Sequence, residues 1–332
     1  MTAGSAPILA IEALETRVRV GQASFPAVDG VSLSLHHGES LAIVGESGCG
    51  KSMLALSVMG LLEPRVARIV SGRVLFDGAD LARLPERRLR AIRGRDISMI
   101  FQEPMSSLNP VLTVGRQVAE VVRQHEGLSP RAAWERAVEM LALVQIPDPR
   151  SRAGEFPHQL SGGMRQRVLI AIALACAPRV LLADEPTTAL DVTVQAQILD
   201  LILSLQERLS MALVLITHDL AVVAETVSRV IVMYAGRKIE EAATTALFAR
   251  PAHPYTKGLL GSLPSRARAD GTRRLTAIRG VVPPLSALRR GCLFASRCPH
   301  AVDRCRVEAP ELAPIETGHV VACWRAGELW GR

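Results

Sequence analysis

The segment at residues 160–167, LSGGMRQR, constrains the fold most because of the two motifs that flank it. Upstream, residues 45–52 read GESGCGKS, a phosphate-binding loop (P-loop) between an apolar run and a helix-like segment. Downstream, residues 180–185 read VLLADE, an apolar strand that ends in two acids. A P-loop alone indicates only that a nucleotide phosphate is bound. The three motifs in this order favour an α/β P-loop NTPase.

The P-loop supplies most of the predicted nucleotide contacts. Its glycines let the backbone wrap a phosphate with N–H groups, and the following helix presents its positive end to the same anion. We expect Lys51 to reach the β- and γ-phosphates and Ser52 to ligate Mg²⁺. Asp184 is expected to hold the Mg²⁺ shell, and Glu185 to act as general base for the attacking water. The loop residues predicted to bind nucleotide are Gly45, Glu46, Ser47, Gly48, Cys49, Gly50, Lys51, Ser52 and Met53.

Cys49 places a thiol inside this loop. It lies near a helix N-terminus, where the pKa of a thiol tends to fall. We therefore expect maleimide to label Cys49 and bound ATP to protect it. The alternative, that position 49 needs only a small side chain, predicts normal activity for Cys49→Ser.

Taken together, LSGG, the following QR and the strand ending in Asp-Glu resemble the ABC ATPases. The resemblance implies an ABC cassette, a RecA-like core with a β subdomain and an inserted helical subdomain. It also implies that Gln102 touches Mg²⁺ or water and that His218 contacts the γ-phosphate. A lone Gln or His is more often structural, but each of these ends an apolar strand, where α/β sheets bind ligands.

The same resemblance implies that ATP is bound between two cassettes, the P-loop of one facing the LSGG segment of the other. The helix that begins at LSGG would direct its dipole at the γ-phosphate. Residues 188–191, TALD, would cross to the second subunit, so we expect a homologous ATPase partner in a heterodimer. The residues expected to contact the partner or its ATP are Ser161, Gly162, Gly163, Gln166 and Asp191.

One element of the ABC pattern is absent. Family members place an aromatic side chain before the P-loop, where it stacks on adenine, and the corresponding residue here is Val20. Stacking contributes roughly 1 kcal/mol, so its loss predicts modestly weaker ATP binding. Either Phe25 or apolar contact alone would hold the base instead.

Composition disfavours several other classes of protein. The net charge is +7, but aromatic residues make up only 3% of the chain. A nucleic-acid groove would interleave basic and aromatic side chains, so we expect a solvated basic face and no nucleic-acid partner. The longest uninterrupted apolar run, residues 168–177, is too short to span a bilayer, and no signal peptide is evident. These features predict a cytosolic protein, with any transport pore on other chains.

Two domains are expected. Residues 1–245 carry the nucleotide motifs and include a helical subdomain at about 103–160, where the strand pattern is lost and residues 130–144 show helical spacing. No internal repeat is present, so the chain holds one cassette. Residues 246–332 form an extension that contains four of the six cysteines.

These four cysteines, spaced C-x5-C-x6-C-x17-C, predict a metal site. The cytosol disfavours disulfides, and a proline-rich segment with few large apolar residues needs a metal or cross-link to fold. Zinc and an iron–sulfur cluster both accept four cysteines, and the wide spacing favours a [4Fe–4S] cluster. His300 and His319 are alternative ligands, and four unconnected thiols are a further alternative. We expect this metal site to stabilise the fold of the extension and to lie away from the ATP. Its cysteines are Cys292, Cys298, Cys305 and Cys323.

Five segments resemble the dipeptide and oligopeptide importer ATPases, the first ATPase subunits in particular. They are FQEPMSSLNP at 101–110, DEPTTALDVT at 184–193, FARPAHPYT at 248–256, GVVP at 280–283 and CPHAVDRC at 298–305. The resemblance supports the [4Fe–4S] cluster over zinc. It implies two transmembrane permease subunits and an extracytoplasmic peptide-binding protein, with this chain peripheral on the cytoplasmic face of the bacterial plasma membrane.

The cargo is less constrained than the ATPase, because specificity belongs to the other chains. Dipeptides or oligopeptides are expected; nickel, a metal chelate, glutathione or an antimicrobial peptide are alternatives. A non-transport ABC ATPase acting on DNA or ribosomes is disfavoured, because such proteins typically carry a long coiled coil or two cassettes.

Overall fold

A computed structural model describes residues 6–102, 107–188, 190–263, 278–284, 286 and 290–330. Residues 103–106, where the helical subdomain was expected to begin, and Ala189 of TALD lie outside the described residues. The chain separates into two compact units. The first comprises Met1–Leu9, Leu35–Glu39 and Arg83–Leu215; the second comprises Ala10–Ser34, Ser40–Ala82 and Ile216–Arg332.

The strands are β1 (Leu9–Val20), β2 (Ala23–Leu35), β3 (Ser40–Val44), β4 (Ala67–Phe76), β5 (Ala79–Asp80), β6 (Ile97–Ile100), β7 (Val180–Asp184), β8 (Ala212–Thr217), β9 (Arg229–Tyr234), β10 (Arg237–Ala243), β11 (Ala313–Glu316) and β12 (His319–Val321). The helices are α1 (Lys51–Met59), α2 (Glu86–Ile92), α3 (Val114–Glu126), α4 (Pro130–Leu143), α5 (Pro149–Arg152), α6 (Gly162–Leu174), α7 (Val192–Leu209), α8 (Leu220–Thr226), α9 (Thr244–Ala249), α10 (Pro254–Gly261), α11 (Asp303–Val307) and α12 (Ala326–Leu329). Two 3₁₀ turns span Leu81–Arg83 and Pro157–Gln159.

In the first unit, strands β8, β7 and β6 lie side by side in that order. β6 and β7 are parallel, with Ile97 opposite Val180. Every residue of both strands is buried, as expected for parallel strands covered on two faces. Their carboxyl ends meet at one edge, so Asp184 at the end of β7 and Gln102 just after β6 reach the same edge of the sheet.

Helices α3 and α4 pack on each other, and both pack on α6. α4 confirms the helix predicted from the spacing over 130–144. It begins with proline in its first turn, and the Ser129 side chain caps it by accepting from the Ala132 N–H. The amphipathic pattern therefore located this helix to within a residue at each end.

In the second unit the strand order is β11-β12-β10-β9-β3, and a separate sheet has the order β2-β1-β4-β5. β3 and β9 are parallel, with Leu41 opposite Arg229. β12, from the extension, pairs antiparallel with β10, with Glu240 opposite Val321. The extension therefore adds two strands to a sheet that also carries β3. Among the described residues, no helix is both long and apolar enough to cross a membrane.

Candidate functional site

The P-loop follows β3 and leads into α1. Gly45 has φ +155°, and a Cβ there would lie 2.3 Å from the Met233 carbonyl oxygen. Gly50 has φ +99°, and a Cβ there would lie 2.3 Å from the Ala27 carbonyl oxygen. Gly50 is the N-cap of α1, and no side chain caps this helix. Glycine is thus required at two positions, and the helix N-terminus presents backbone N–H groups of the kind that bind phosphate.

Lys51 lies within the curve of the loop. Its side chain is buried, and Nζ donates to the carbonyl oxygens of Gly45 at 2.7 Å and Glu46 at 3.1 Å. These bonds place a positive charge inside the loop and keep its ammonium group hydrogen-bonded despite burial. A polyphosphate entering the loop would meet both the ammonium group and the end of α1.

Cys49 has the opposite environment from the one expected. Its side chain is 0% exposed, and burial raises the pKa of its thiol, outweighing the nearby Lys51 ammonium. The expectation of a reactive, ATP-protected thiol is therefore wrong, because the side chain is buried in the protein interior and burial opposes its ionisation. Its Sγ would lie 2.7 Å from a Cβ at position 45, so Cys49 is a second reason, beside the Met233 carbonyl oxygen, why position 45 needs glycine.

The acids at the end of β7 lie in two different environments. Asp184 is buried, whereas Glu185 is half-buried and has a left-handed backbone, with φ 46°. Gln102 Nε2 donates to Glu185 Oε2 at 3.0 Å, so the predicted glutamine and the predicted general base are in contact. Thr188 Oγ1 donates to the same oxygen at 3.0 Å. Thr188 was predicted only as part of the segment 188–191 that crosses to a second subunit, and its contact with Glu185 was not predicted, because nothing in its type distinguishes it from a turn threonine.

The LSGG segment forms the start of α6. Ser161 is the N-cap, and its hydroxyl accepts from the Met164 N–H at 3.3 Å. Ser161 and Gly162 are exposed and Gly163 is half-buried, as a contact with another chain requires. Gln166 is 1% exposed, so in this structure it cannot face a partner's ATP. That expectation is corrected: one helical turn beyond LSGG, the side chain points into the protein.

Three further predicted residues lie on the surface. Asp191 is the N-cap of α7 and accepts from the Val194 N–H at 3.0 Å, which gives it a local structural role. His218 is exposed immediately after β8. Val20, at the expected adenine-stacking position, is 58% exposed, and Phe25 is half-buried.

The HPYT segment of the extension contacts the P-loop. Tyr255 is fully buried, and its hydroxyl oxygen accepts from the Glu46 N–H at 2.8 Å. Burial lowers the pKa of His253 to about 4, so its ring is neutral and Nδ1 accepts from the Tyr255 N–H at 3.0 Å, capping α10. The extension therefore contacts the P-loop through Tyr255, and the sequence motif gave no sign of this contact.

A buried carboxylate attaches the extension to β10. Glu240 is 0% exposed and accepts from the N–H groups of Ala252 at 2.6 Å and His253 at 3.0 Å. His319 Nε2 lies 2.8 Å from the same carboxylate. A buried carboxylate is costly unless it is fully hydrogen-bonded, so these bonds fix β12 against β10. His319 Nε2 is engaged by Glu240, and His319 is not among the residues that line the cavity shared by the four cysteines.

The four cysteines of the extension line one small cavity of about 20 Å³, together with His300. Burial raises the pKa of the Cys292 and Cys298 thiols, and that of Cys323 to about 11. Within the described part of the chain, however, no group of three or more His, Cys, Asp or Glu side chains is arranged to hold a metal ion. The cysteines thus share a cavity, but the metal site that their grouping in the sequence predicted is not found among the described residues.

Comparison with known proteins identifies the family. The ABC transporter family matches residues 28–188, and the oligopeptide/dipeptide transporter C-terminal region matches residues 239–305. A probable peptide ABC transporter ATP-binding protein of Sinorhizobium fredii is 54% identical over 97% of this chain and 96% of its own length. The dipeptide transport ATP-binding protein DppD of Bacillus subtilis is 50% identical over 96% of this chain and 94% of its own length.

Comparison with solved structures identifies the same family. A dimeric ATP-binding cassette in a post-hydrolysis state with ADP and Pi aligns with a TM-score of 0.64 at 30% identity, covering 71% of this chain and 98% of that one. The fold is that of the ABC ATPase cassette. The chain belongs to the family of ABC transporter ATP-binding proteins that carry the oligopeptide/dipeptide transporter C-terminal region.

Proposed function

We propose that this chain binds and hydrolyses ATP to power the import of dipeptides or oligopeptides. The P-loop supports this, because the Lys51 ammonium group and the uncapped start of α1 converge where a polyphosphate would bind. Ser52 and Asp184 are the proposed Mg²⁺ ligands, oxygen donors of the type that Mg²⁺ prefers. Bound Mg²⁺ would neutralise charge on the β- and γ-phosphates.

Glu185 is the proposed general base. Gln102 and Thr188 both donate to its Oε2, which orients the carboxylate that would accept a proton from water. Gln102 would therefore link the state of the base to the segment that follows β6. His218 is the proposed contact to the γ-phosphate.

A second, homologous ATPase subunit completes the proposed machinery. Ser161, Gly162 and Gly163 would contact that subunit's ATP, because they lie at the exposed N-terminus of α6, a favourable position for an anion. In this arrangement residues 1–245 form the cassette and residues 246–332 the extension. Two permeases and an extracytoplasmic peptide-binding protein would complete the transporter, with this chain on the cytoplasmic face of the membrane.

The cargo proposal rests on one observation, the C-terminal region shared with dipeptide and oligopeptide transporters. Its test is uptake of a labelled dipeptide by cells that lack this chain and by cells in which it is restored. We expect uptake to be lost and then recovered, with unlabelled peptides competing. Competition by nickel, a metal chelate, glutathione or an antimicrobial peptide, and not by peptides, would reassign the cargo.

We also propose that the cysteines lining the small cavity hold a [4Fe–4S] cluster, with zinc as the alternative. All four thiols line the cavity, and thiolates are ligands of both iron–sulfur clusters and zinc. Binding would release the thiol protons that burial retains, and metal–thiolate bonds would add folding free energy to a segment with little core of its own.

Iron content tests the cluster directly. Protein purified anaerobically is expected to carry about four irons per chain and to absorb broadly in the visible range. Cys298→Ser should lose both and expose the extension to proteolysis, whereas Cys176→Ser, outside the extension, should change neither. Stoichiometric zinc without iron would replace the cluster by a structural zinc site.

A further inference from the structure

Glu46 introduces a negative charge into a loop that is proposed to bind a polyphosphate. A carboxylate beside a phosphate group is repelled by it, and the repulsion grows where water is excluded. The Glu46 side chain is 30% exposed, so solvent screens it only in part. A P-loop with this residue therefore needs a neighbouring cationic group that neutralises the carboxylate and directs it away from the bound anion.

Arg297 of the extension supplies this cationic group. Its Nη1 donates to Glu46 Oε2 at 2.6 Å and its Nη2 donates to Oε1 at 2.9 Å, a bidentate pair. The Arg297 side chain is 4% exposed. Bidentate arginine–carboxylate pairs are strong and fix the orientation of both groups, and burial reduces their screening by solvent.

The guanidinium group is itself held in place. Its Nε donates to the Arg279 carbonyl oxygen at 2.9 Å, and Nη2 also donates to the Gly280 carbonyl oxygen at 3.2 Å. The group lies 5.8 Å from the ring centres of both Tyr234 and Phe294, within cation–π range. Arg297 therefore cannot leave Glu46 without breaking several contacts inside the extension.

The backbone of Glu46 is held as firmly as its side chain. Tyr255 accepts its N–H, and Lys51 donates to its carbonyl oxygen. Every polar group of this residue therefore has a partner, and two of the partners, Arg297 and Tyr255, come from the extension, more than 200 residues away in the sequence.

We infer that Arg297 and Tyr255 are positioning residues for the P-loop, and that the extension sets the ATP affinity of the cassette through Glu46. The inference rests on the proposed function, since it concerns the same ATP. Arg297 cancels the charge that would repel the polyphosphate, and Tyr255 fixes the N–H of the residue that follows Gly45.

The test measures binding of Mg²⁺ and a non-hydrolysable ATP analogue to the full chain by calorimetry. Arg297→Met should weaken binding by about tenfold, the factor that corresponds to roughly one charge-assisted hydrogen bond. In a Glu46→Gln background the same substitution should weaken binding less than about threefold, because no carboxylate is left to repel the phosphates. Arg250→Met is the matched control: Arg250 pairs with Glu316 in the extension, and we expect wild-type affinity.

A purely structural role for Arg297 would give equal losses in both backgrounds, and that result would overturn the inference. So would wild-type affinity in Arg297→Met. If Arg297→Met does not fold, Arg297→Gln, which removes the charge but keeps a polar side chain, decides by the same comparison. Lys51→Ala distinguishes failure of the proposed nucleotide site from failure of the inference about the extension. Unchanged ATP affinity in Lys51→Ala would overturn the nucleotide site itself. If Lys51→Ala fails to bind while Arg297→Met binds as the wild type does, only the role of the extension is overturned.

Discussion

Glu185→Gln is expected to reduce ATP hydrolysis by the assembled transporter about 10²-fold or more while ATP still binds. The amide cannot take a proton from water, but it can still accept hydrogen bonds from Gln102 and Thr188, so the local structure should persist. Because ATP would remain bound between two cassettes, the variant should also accumulate as a closed pair of ATPase subunits. Phosphate release and native mass measurement check the two results.

The matched control is Glu207→Gln, which changes an exposed glutamate of α7 in the same chemical way. It should hydrolyse ATP at the wild-type rate. Near-normal turnover of Glu185→Gln in the assembled complex would remove Glu185 from the role of general base and direct attention to another acceptor at the same strand edge.

Lys51→Ala is expected to fail at an earlier step, the binding of ATP. The substitution removes a charge-assisted hydrogen bond to phosphate, which corresponds to a roughly 10- to 100-fold weaker affinity for ATP. It also removes the donors to the Gly45 and Glu46 carbonyl oxygens, so the empty loop should lose order as well. Calorimetric titration of the full chain measures the affinity, and thermal unfolding without nucleotide measures the second effect.

Lys257→Ala serves as the control, because Lys257 lies in the extension, where it donates to the backbone carbonyl oxygen of Leu329. Its ATP affinity should equal that of the wild type. Unchanged affinity in Lys51→Ala would contradict the assignment of the loop as the phosphate site.

Local patterns predicted much of this molecule. The apolar run before Asp184 and Glu185 became β7, and the run before Gln102 became β6, as predicted. The parallel pairing of these strands then placed Gln102 against Glu185. The grouping of cysteines near the C-terminus predicted a metal site; these cysteines share one cavity, but no metal-holding group is found among the described residues. In each case the prediction depended on chain order and on the residue types within a short segment, which one sequence displays.

Long-range contacts could not be predicted in the same way. Nothing within the HPYT segment indicates that Tyr255 accepts from Glu46, or that Arg297 pairs with the Glu46 carboxylate, because both contacts depend on how the extension folds back. The pKa of Cys49 was misjudged for a related reason. The helix N-terminus favours a thiolate, but burial of the side chain opposes it more strongly, and burial is a property of the packed molecule.

The central claim is that ATP hydrolysis at Glu185 of this chain powers peptide import. Its most direct test is phosphate release by the purified transporter, with its partner ATPase and permeases in lipid vesicles, before and after adding the peptide-loaded binding protein. We predict that the loaded binding protein stimulates hydrolysis, and that Glu185→Gln abolishes the stimulation while Glu207→Gln preserves it. Equal stimulation with wild-type chain and with Glu185→Gln would contradict the claim.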